Sequence, residues 1–435
     1  MALGLGKAIR NAIDSIAGKK HKEPEEPLEP KDEPSKEPAS DAQFAPMTDA
    51  STFCVGRTYV PSLSFNRIWR FNRPFLKEED QKIYDAMSVA IKQCLPSIKF
   101  DCGRAAKDAH YLINVLAALM EDDPSLFYID SEISVNNYGT SAQVIFKYNR
   151  FKDDREKYYE QMKSVARQIY NARVRYCHTV YEAELAIHDY FTRNTTYDSS
   201  DFASAHSPVG PLLTNRGVCE GISEAYCFVA CACGVKTAMA SGILNKDRHR
   251  WNIVEIEGQP YHLDVTSDLN GMHAYFNCSD DRIRRTHTLN RRYGCVSMAH
   301  NYYVMNGASF GSLKEAGTYI RLKSGIVPGS FEFAIDEETD SQSIMAAVQD
   351  GITRSATITV SSNNGCFKVT LKDMSRWPEP RNGLTERSPD EAPVHCIGSA
   401  PCDRIHKTIA KPATSEWMHH NYHYSLHKLM LSRLT

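Results

Sequence analysis

The chain has 435 residues, 42% hydrophobic and 24% charged, with 51 basic against 53 acidic side chains and a formal net charge of -2. That is the balance of a globular protein of two or three domains with a full-sized core. It gives no global field for nucleic acid or an anionic membrane, the basic residues are dispersed, and no stretch reaches the ~18 apolar residues of a spanning helix.

Residues 1–20 place Leu5, Ile9, Ile13 and Ile16 at helical spacing, while Lys7 and Arg10 cut any secretory-type apolar core. Two readings follow: a short interfacial helix making peripheral membrane contact, or the plainer one, a weakly helical terminus that frays. Residues 21–53 alternate Pro, Glu and Lys with almost nothing apolar and read as an extended, disordered linker. The span 54–185 reads as an α/β N-terminal domain. Helical periodicity runs over 77–95 and 105–120, Asp123-Pro124 stops the second helix, 127–148 is strand-like, and 153–174 and 179–193 are helical again.

In 186–312, a turn at Asn215-Arg216-Gly217-Val218 leads into a helix over 219–233 that Gly234 ends. Strands follow over 235–243, 249–257 and 261–266, the last two joined at Gly258. A β-rich extension over 313–374 has short strands at 319–322, 331–335, 356–360 and 367–371, with a helix at 341–348. From 375 to 435 the chain reads as an irregular tail with a terminal helix at 417–434, and no repeat of fixed period appears.

The thirteen cysteines are odd in number, and Cys227, Cys231 and Cys233 crowd one predicted helix. That suits buried thiols or a reducing compartment better than a disulfide framework. The expected location is cytoplasmic, with leaderless export left open. Three thiols on one helix fit a tetrahedral site poorly. His419, His423 and His427 recur at four-residue steps without an acidic partner, and there is no EF-hand loop. No metal, cofactor or nucleic-acid partner is expected.

A thiol nucleophile needs an accessible thiolate, a base within reach and a group that fixes the base. Cys219 sits at a predicted helix N-terminus, where orphan backbone N–H groups and the positive dipole end favour a thiolate and can hold an oxyanion. Gly217, Val218 and Gly221 beside it, and Trp251, are the oxyanion and pocket candidates. His249 opens one strand as the candidate base and Asp264 lies in the facing strand as its orienter. A hairpin about Gly258 sets Asp264 roughly opposite Ile253, on the face His249 shares. A turn starting one residue earlier makes Asp264 and His249 diagonal neighbours; the sequence leaves that register open. His262 is the competing base. Trp251 and Asn252 either line the site or pack.

Arg-Gly-Val-Cys-Glu-Gly-Ile-Ser-Glu-Ala at 216–225, His-Arg-Trp-Asn-Ile-Val at 249–254 and Tyr-His-Leu-Asp-Val-Thr at 261–266 resemble the core of the bacterial transglutaminase-like superfamily, related to papain-type cysteine peptidases. Weaker likenesses surround them, including Ile187-His188-Asp189-Tyr190, Tyr197-Asp198 and Asn301-Tyr302-Tyr303-Val304, so the resemblance covers roughly 75–310. It implies an α+β fold, with a papain-like core that packs the cysteine helix on an antiparallel sheet, and triad roles for Cys219, His249 and Asp264. Two departures bear on pocket shape: Ser267 where the family often has an aromatic, and Val209 where it often has a tyrosine. The expected activity is acyl transfer from a peptide or protein amide, foremost hydrolysis by a cysteine peptidase. The rivals are a protein-glutamine transferase or deamidase, and a binding or scaffold protein that kept the fold without turnover.

Overall fold

The computed structural model describes residues 59–101, 109–353, 355–373 and 403–409. The expected N-terminal helix, the linker, the histidine run at 419–427 and the terminal helix lie outside them. No described helix is long and apolar enough to cross a membrane.

The first half of the chain forms α1 (Glu78–Lys92), β1 (Ser97–Asp101), α2 (Ala109–Asp122), β2 (Ile129–Asn137), β3 (Ser141–Tyr148) and α3 (Arg155–Ala172). The middle forms α4 (Val180–Asn194), β4 (Thr196–Tyr197), α5 (Phe202–Ala205), α6 (Val209–Leu213), β5 (Arg216–Gly217), α7 (Cys219–Ala232), β6 (Lys236–Leu244), β7 (Asp247–Ile256) and β8 (Gln259–Leu263). Then come α8 (Asp280–Ile283), β9 (His287–Leu289), α9 (Tyr302–Met305), β10 (Ser309–Phe310), α10 (Leu313–Ser324), β11 (Gly329–Ile335), α11 (Ser341–Gly351), β12 (Ala356–Asn363), β13 (Cys366–Asp373) and β14 (Asp403–Ile409). The fold is α+β, as expected.

Contacts divide the chain into two compact units interleaved in sequence. One holds the described residues up to 187 with Asp201–Thr214 and Glu224–Ala240; the other holds His188–Ser200, Asn215–Ser223 and the described residues from 241 on. In the first, β1-β3-β2 form an antiparallel sheet. Ile83, Met87 and Ile91 of α1 and Leu112, Leu116 and Leu119 of α2 recur at three- and four-residue steps and are buried. Asp122, fully buried at the end of α2, accepts from Asn72 N at 2.8 Å, Arg73 N at 3.1 Å and the Tyr84 hydroxyl at 3.0 Å, so its carboxylate organises the entry to α1. The expected core thiols belong here: Cys227 and Cys231 Sγ both donate to the Thr237 carbonyl at 3.1 Å, and Cys233 is buried. All nine described cysteines are free.

In the second unit β4 pairs parallel with β5. The antiparallel pairs β7–β8 and β6–β9 lie in a four-stranded sheet of order β8-β7-β6-β9. A second sheet, β10-β11-β13-β12-β14, is antiparallel except for the β10–β11 pair. Two expectations fail here. Residues 319–322, expected to be a strand, lie inside α10. Ser312 caps that helix on Glu315 N, Glu315 reaches back to Gly311 N, and Ala316 and Ile320 form the buried stripe, so the capping box and four-residue period prevail over local propensity. In the stretch expected to be irregular, 403–409 forms β14, antiparallel to β12 from Ala356↔Ile409 to Ser362↔Asp403. Its pairing partner lies more than forty residues upstream, beyond the reach of local pattern.

Gly242 of β6 faces Leu289 of β9. A Cβ there would press on the Thr288 carbonyl and stand 2.7 Å from the Trp251 ring. Gly242→Ala is expected to destabilise the protein by about 1–3 kcal/mol through overpacking, seen as a lower midpoint of chemical denaturation. An unchanged midpoint would mean the β6–β9 pair yields freely.

Candidate active site

Cys219 starts α7. The strand before it is pinned to β4 through Tyr197↔Gly217 and Asp198 N to the Gly217 carbonyl at 3.0 Å. Val218 holds the N-cap position, since its carbonyl accepts from Ile222 N at 2.9 Å. The N–H groups of the first turn are therefore free of intrahelical partners beside the thiol. Cys219 is half-exposed, whereas Gly217, Val218 and Gly221 are buried. Ser223 of that turn accepts from Asn252 Nδ2 at 2.9 Å, and Glu220 pairs with Arg250 Nη1 at 2.9 Å. Both contacts fasten the helix start to β7.

The hairpin register brings the candidate base and its expected orienter together. Asn252 faces Leu263 and Ile253 faces His262, with the turn at Glu257 and Gly258, both at positive φ. This is the two-residue turn with left-handed central residues that suits strand twist. It starts one residue before a turn centred on Gly258–Gln259, so Asp264 and His249 are diagonal neighbours across the hairpin. His249 Nε2 lies 2.8 Å from Asp264 Oδ2, with the two side chains 6% and 0% exposed. His249 also hydrogen-bonds the Cys219 side chain, and with Nε2 given to Asp264, Nδ1 is the ring nitrogen left for the thiol. Cys219, His249 and Asp264 all belong to the second unit.

The electrostatics follow from that order. Burial alone would lower the His249 pKa, but the charge and hydrogen bond of Asp264, with smaller help from Cys219, outweigh it and raise it to about 10. Burial would raise Asp264, but the charges and hydrogen bonds of His249 and His287 hold it well below the usual carboxylate range.

Three neighbours were not anticipated in these roles. His287 Nε2 lies 3.2 Å from the same Asp264 Oδ2, and its Nδ1 lies 2.8 Å from the Thr286 hydroxyl. Ser267, noted in the sequence only as a departure, donates its hydroxyl to Asp264 Oδ2 and its N–H to Oδ1. Tyr197 stands beside Cys219: burial, then the neighbouring Cys219, pushes the phenol up to about 12, against the pull of the Cys219 backbone N–H. The Tyr-Asp pair ahead of the cysteine was the available signal for Tyr197. Nothing in local spacing marks His287.

Trp251 packs rather than lines an opening. It is 1% exposed, its ring lies 6.0 Å from the His249 ring at 19°, and its Nε1 donates to His262 Nδ1 at 2.9 Å. His262 Nε2 faces Asp280 Oδ1 at 2.8 Å. Burial, against the pull of Asp280, lowers the His262 pKa. Both its nitrogens are thus committed away from Cys219. Among the described residues, three groups bring donor atoms within metal-binding range: His249 with Asp264 and His287, His262 with Asp280 and Cys295, and His188 with Asp189 and His273. The His262 group is closed to a metal, because its Nδ1 lone pair already takes the Trp251 proton.

A helix headed by a cysteine, fastened to an antiparallel sheet whose adjacent strands bring up a histidine and an aspartate, defines a transglutaminase-like core. Residues 163–278, which include Cys219, His249 and Asp264, match the family model described as the transglutaminase-like superfamily. Among solved structures the chain is similar to one from Cytophaga hutchinsonii provisionally described as a cysteine protease, at 16% identity and TM-score 0.23, over 31% of this chain and 61% of that one. It is also similar to one described as a TGase, at 14% identity and TM-score 0.23, over 39% of this chain and 50% of that one. The chain therefore spans less than two thirds of either structure. No curated protein matches it.

Proposed function

We propose that this chain is a thiol-dependent acyl-transfer enzyme with Cys219 as nucleophile, His249 as base and Asp264 as the orienting carboxylate, and that it hydrolyses a peptide or protein amide. The observation that carries this reading is His249 held between the Cys219 side chain and Asp264 Oδ2. His249 takes the Cys219 proton, and the sulfur attacks the amide carbonyl to form a tetrahedral intermediate. The C–N bond then breaks, the leaving amine takes the proton from His249, and a thioester remains. Water, deprotonated by His249, releases the acid and returns the thiol.

The oxyanion of that intermediate falls to the backbone N–H groups at the start of α7. The Tyr197 phenol stands beside the Cys219 backbone N–H, so its O–H can serve as a second donor to the oxyanion. Tyr197→Phe is therefore expected to lower kcat by about 10²-fold with little change in KM. An unchanged kcat would remove Tyr197 from the reaction.

The test of the whole reading is site-resolved alkylation by iodoacetamide, in wild type and His249→Ala, followed by amide substrates with and without a primary amine. Cys219 is expected to label well ahead of half-exposed Cys94, and to lose that advantage without His249. Labelling of Cys219 no faster than Cys94, and indifferent to His249, would leave a binding protein on a catalytic fold. Peptide cleavage without amine incorporation supports the hydrolase; incorporation of the amine, or release of ammonia from a glutamine side chain, would turn the reading to a transferase or deamidase.

A further inference from the structure

The geometry points to a second site: a divalent-metal site of the zinc class formed by His188, Asp189 and His273, separate from the thiol chemistry. His188 and Asp189 lie on α4, and His273 lies in the loop between β8 and α8. His188 Nδ1 is 3.3 Å from Asp189 Oδ1, and His273 Nε2 is 3.0 Å from the same oxygen. The three donor atoms lie within 4.8 Å of one another. Bonds of ~2.0–2.1 Å in a tetrahedral site put neighbouring ligand atoms roughly 3.3 Å apart, so a cation enters with small movements.

What sets this cluster apart is its outer face. A histidine that binds a metal through one nitrogen characteristically gives the other N–H to a carboxylate, which fixes the ring and raises its basicity. Both rings have that partner. His188 Nε2 faces Asp268 Oδ2 at 3.3 Å, and His273 Nδ1 faces Glu332 Oε2 at 3.0 Å. The supporting carboxylates are themselves held. Asp268 is fully buried and accepts from Tyr275 N at 3.2 Å; Glu332 takes Lys368 Nζ at 3.2 Å and the Tyr303 hydroxyl at 3.3 Å. Arg193 holds Asp189 Oδ2 at 2.5 Å, leaving Oδ1 as a single-oxygen ligand. Tyr302 stacks on the His273 ring at 3.7 Å and 7°, locking its orientation.

Access comes from Asp189 and His273, 20% and 12% exposed, while His188 is fully buried. Three protein ligands leave a fourth position for water. A divalent cation here takes the inner nitrogen of each ring and keeps both outer hydrogen bonds. It would tie α4 to the loop after β8 and, through Glu332, to β11.

The experiment uses the full chain, stripped with a chelator and titrated with Co2+ and then Zn2+. One equivalent is expected to bind, with the visible bands of a nitrogen–oxygen ligand set and no thiolate-to-cobalt charge transfer. X-ray absorption of the zinc form of wild-type protein should show imidazole and no sulfur. Cys219→Ala should bind as wild type, which keeps this site distinct from the thiol. His273→Gln and Asp189→Asn should lose the equivalent, Glu332→Gln should weaken it by about 10–100-fold, and Zn2+ should raise the thermal midpoint of wild type but not of His273→Gln. Absence of saturable binding, sulfur in the zinc shell, or an equivalent that survives both His273→Gln and Asp189→Asn would overturn the site and leave a hydrogen-bonded histidine–carboxylate network.

Discussion

Cys219→Ala and His249→Ala are each expected to lower kcat by about 10⁶-fold, and the double variant to lose little more. Groups that act as one unit behave this way, because a base without its nucleophile accelerates nothing. The structure supplies the reason. His249 is almost fully buried, its Nε2 is given to Asp264, and its other ring nitrogen is left for the Cys219 side chain. A histidine in that position has no second task in the reaction. The double-variant cycle checks this on any amide the enzyme turns over. Multiplying losses would mean that His249 and Cys219 act on separate steps or separate molecules, and the proposed pair would fall. Residual turnover above water in all three variants reports what the first turn of α7 contributes by holding the carbonyl oxygen.

The meeting of Cys219, His249 and Asp264 was legible because each sits where local rules are strong. Gly-Val-Cys before an apolar run announces a helix start. Gly234 announces its end, and it lies in the left-handed region at φ 88. His249 stands an even number of residues from Ile253, the strand position expected to face Asp264, which put the two on one face. The register stayed open because it depends on whether Glu257 enters the turn, and Glu257 at φ 51 is a conformation the residue type does not advertise. The rest of the site is long-range. His287 reaches Asp264 from β9, which is on the sheet only because it pairs with β6. Tyr197 comes near Cys219 because β4 and β5 pair in parallel, Tyr197 against Gly217, twenty residues apart. The second histidine cluster is the same case: His188 and His273 are far apart in sequence, and neither shows a spacing that names a partner. Where local pattern and local propensity disagreed, as at Tyr319 in α10, the cap at Ser312 decided.

Asp264→Asn is expected to lower kcat by about 10⁴-fold and to cost about 3–5 kcal/mol of stability, with a distinctive pH signature. An amide in place of the carboxylate has the shape to remain in the strand, but it cannot balance a protonated His249 or accept from His249, His287 and Ser267 together. His249 is raised in the folded protein to about 10, above its unfolded value of about 6.5, so its contribution is fully present below pH 6.5 and is lost as pH rises toward 10. Asp264 is depressed, so its contribution is present above about pH 3.9 and is lost as pH falls below that toward its folded value. The pair therefore stabilises most between about pH 4 and 6.5, and wild type should weaken from there to pH 10. In Asp264→Asn the burial of His249 acts without its counter-charge, the imidazole stays neutral, and that decline should vanish. In the metal-free protein His273, also raised, to about 9 by its carboxylate partners against burial, contributes a similar slope to both proteins and cancels in the comparison. Denaturant midpoints of the two proteins from pH 5 to 10 decide the matter. Converging curves as pH rises support a charged His249–Asp264 pair; parallel curves would mean that His249 is neutral in the native state and that Asp264 serves only to place the ring.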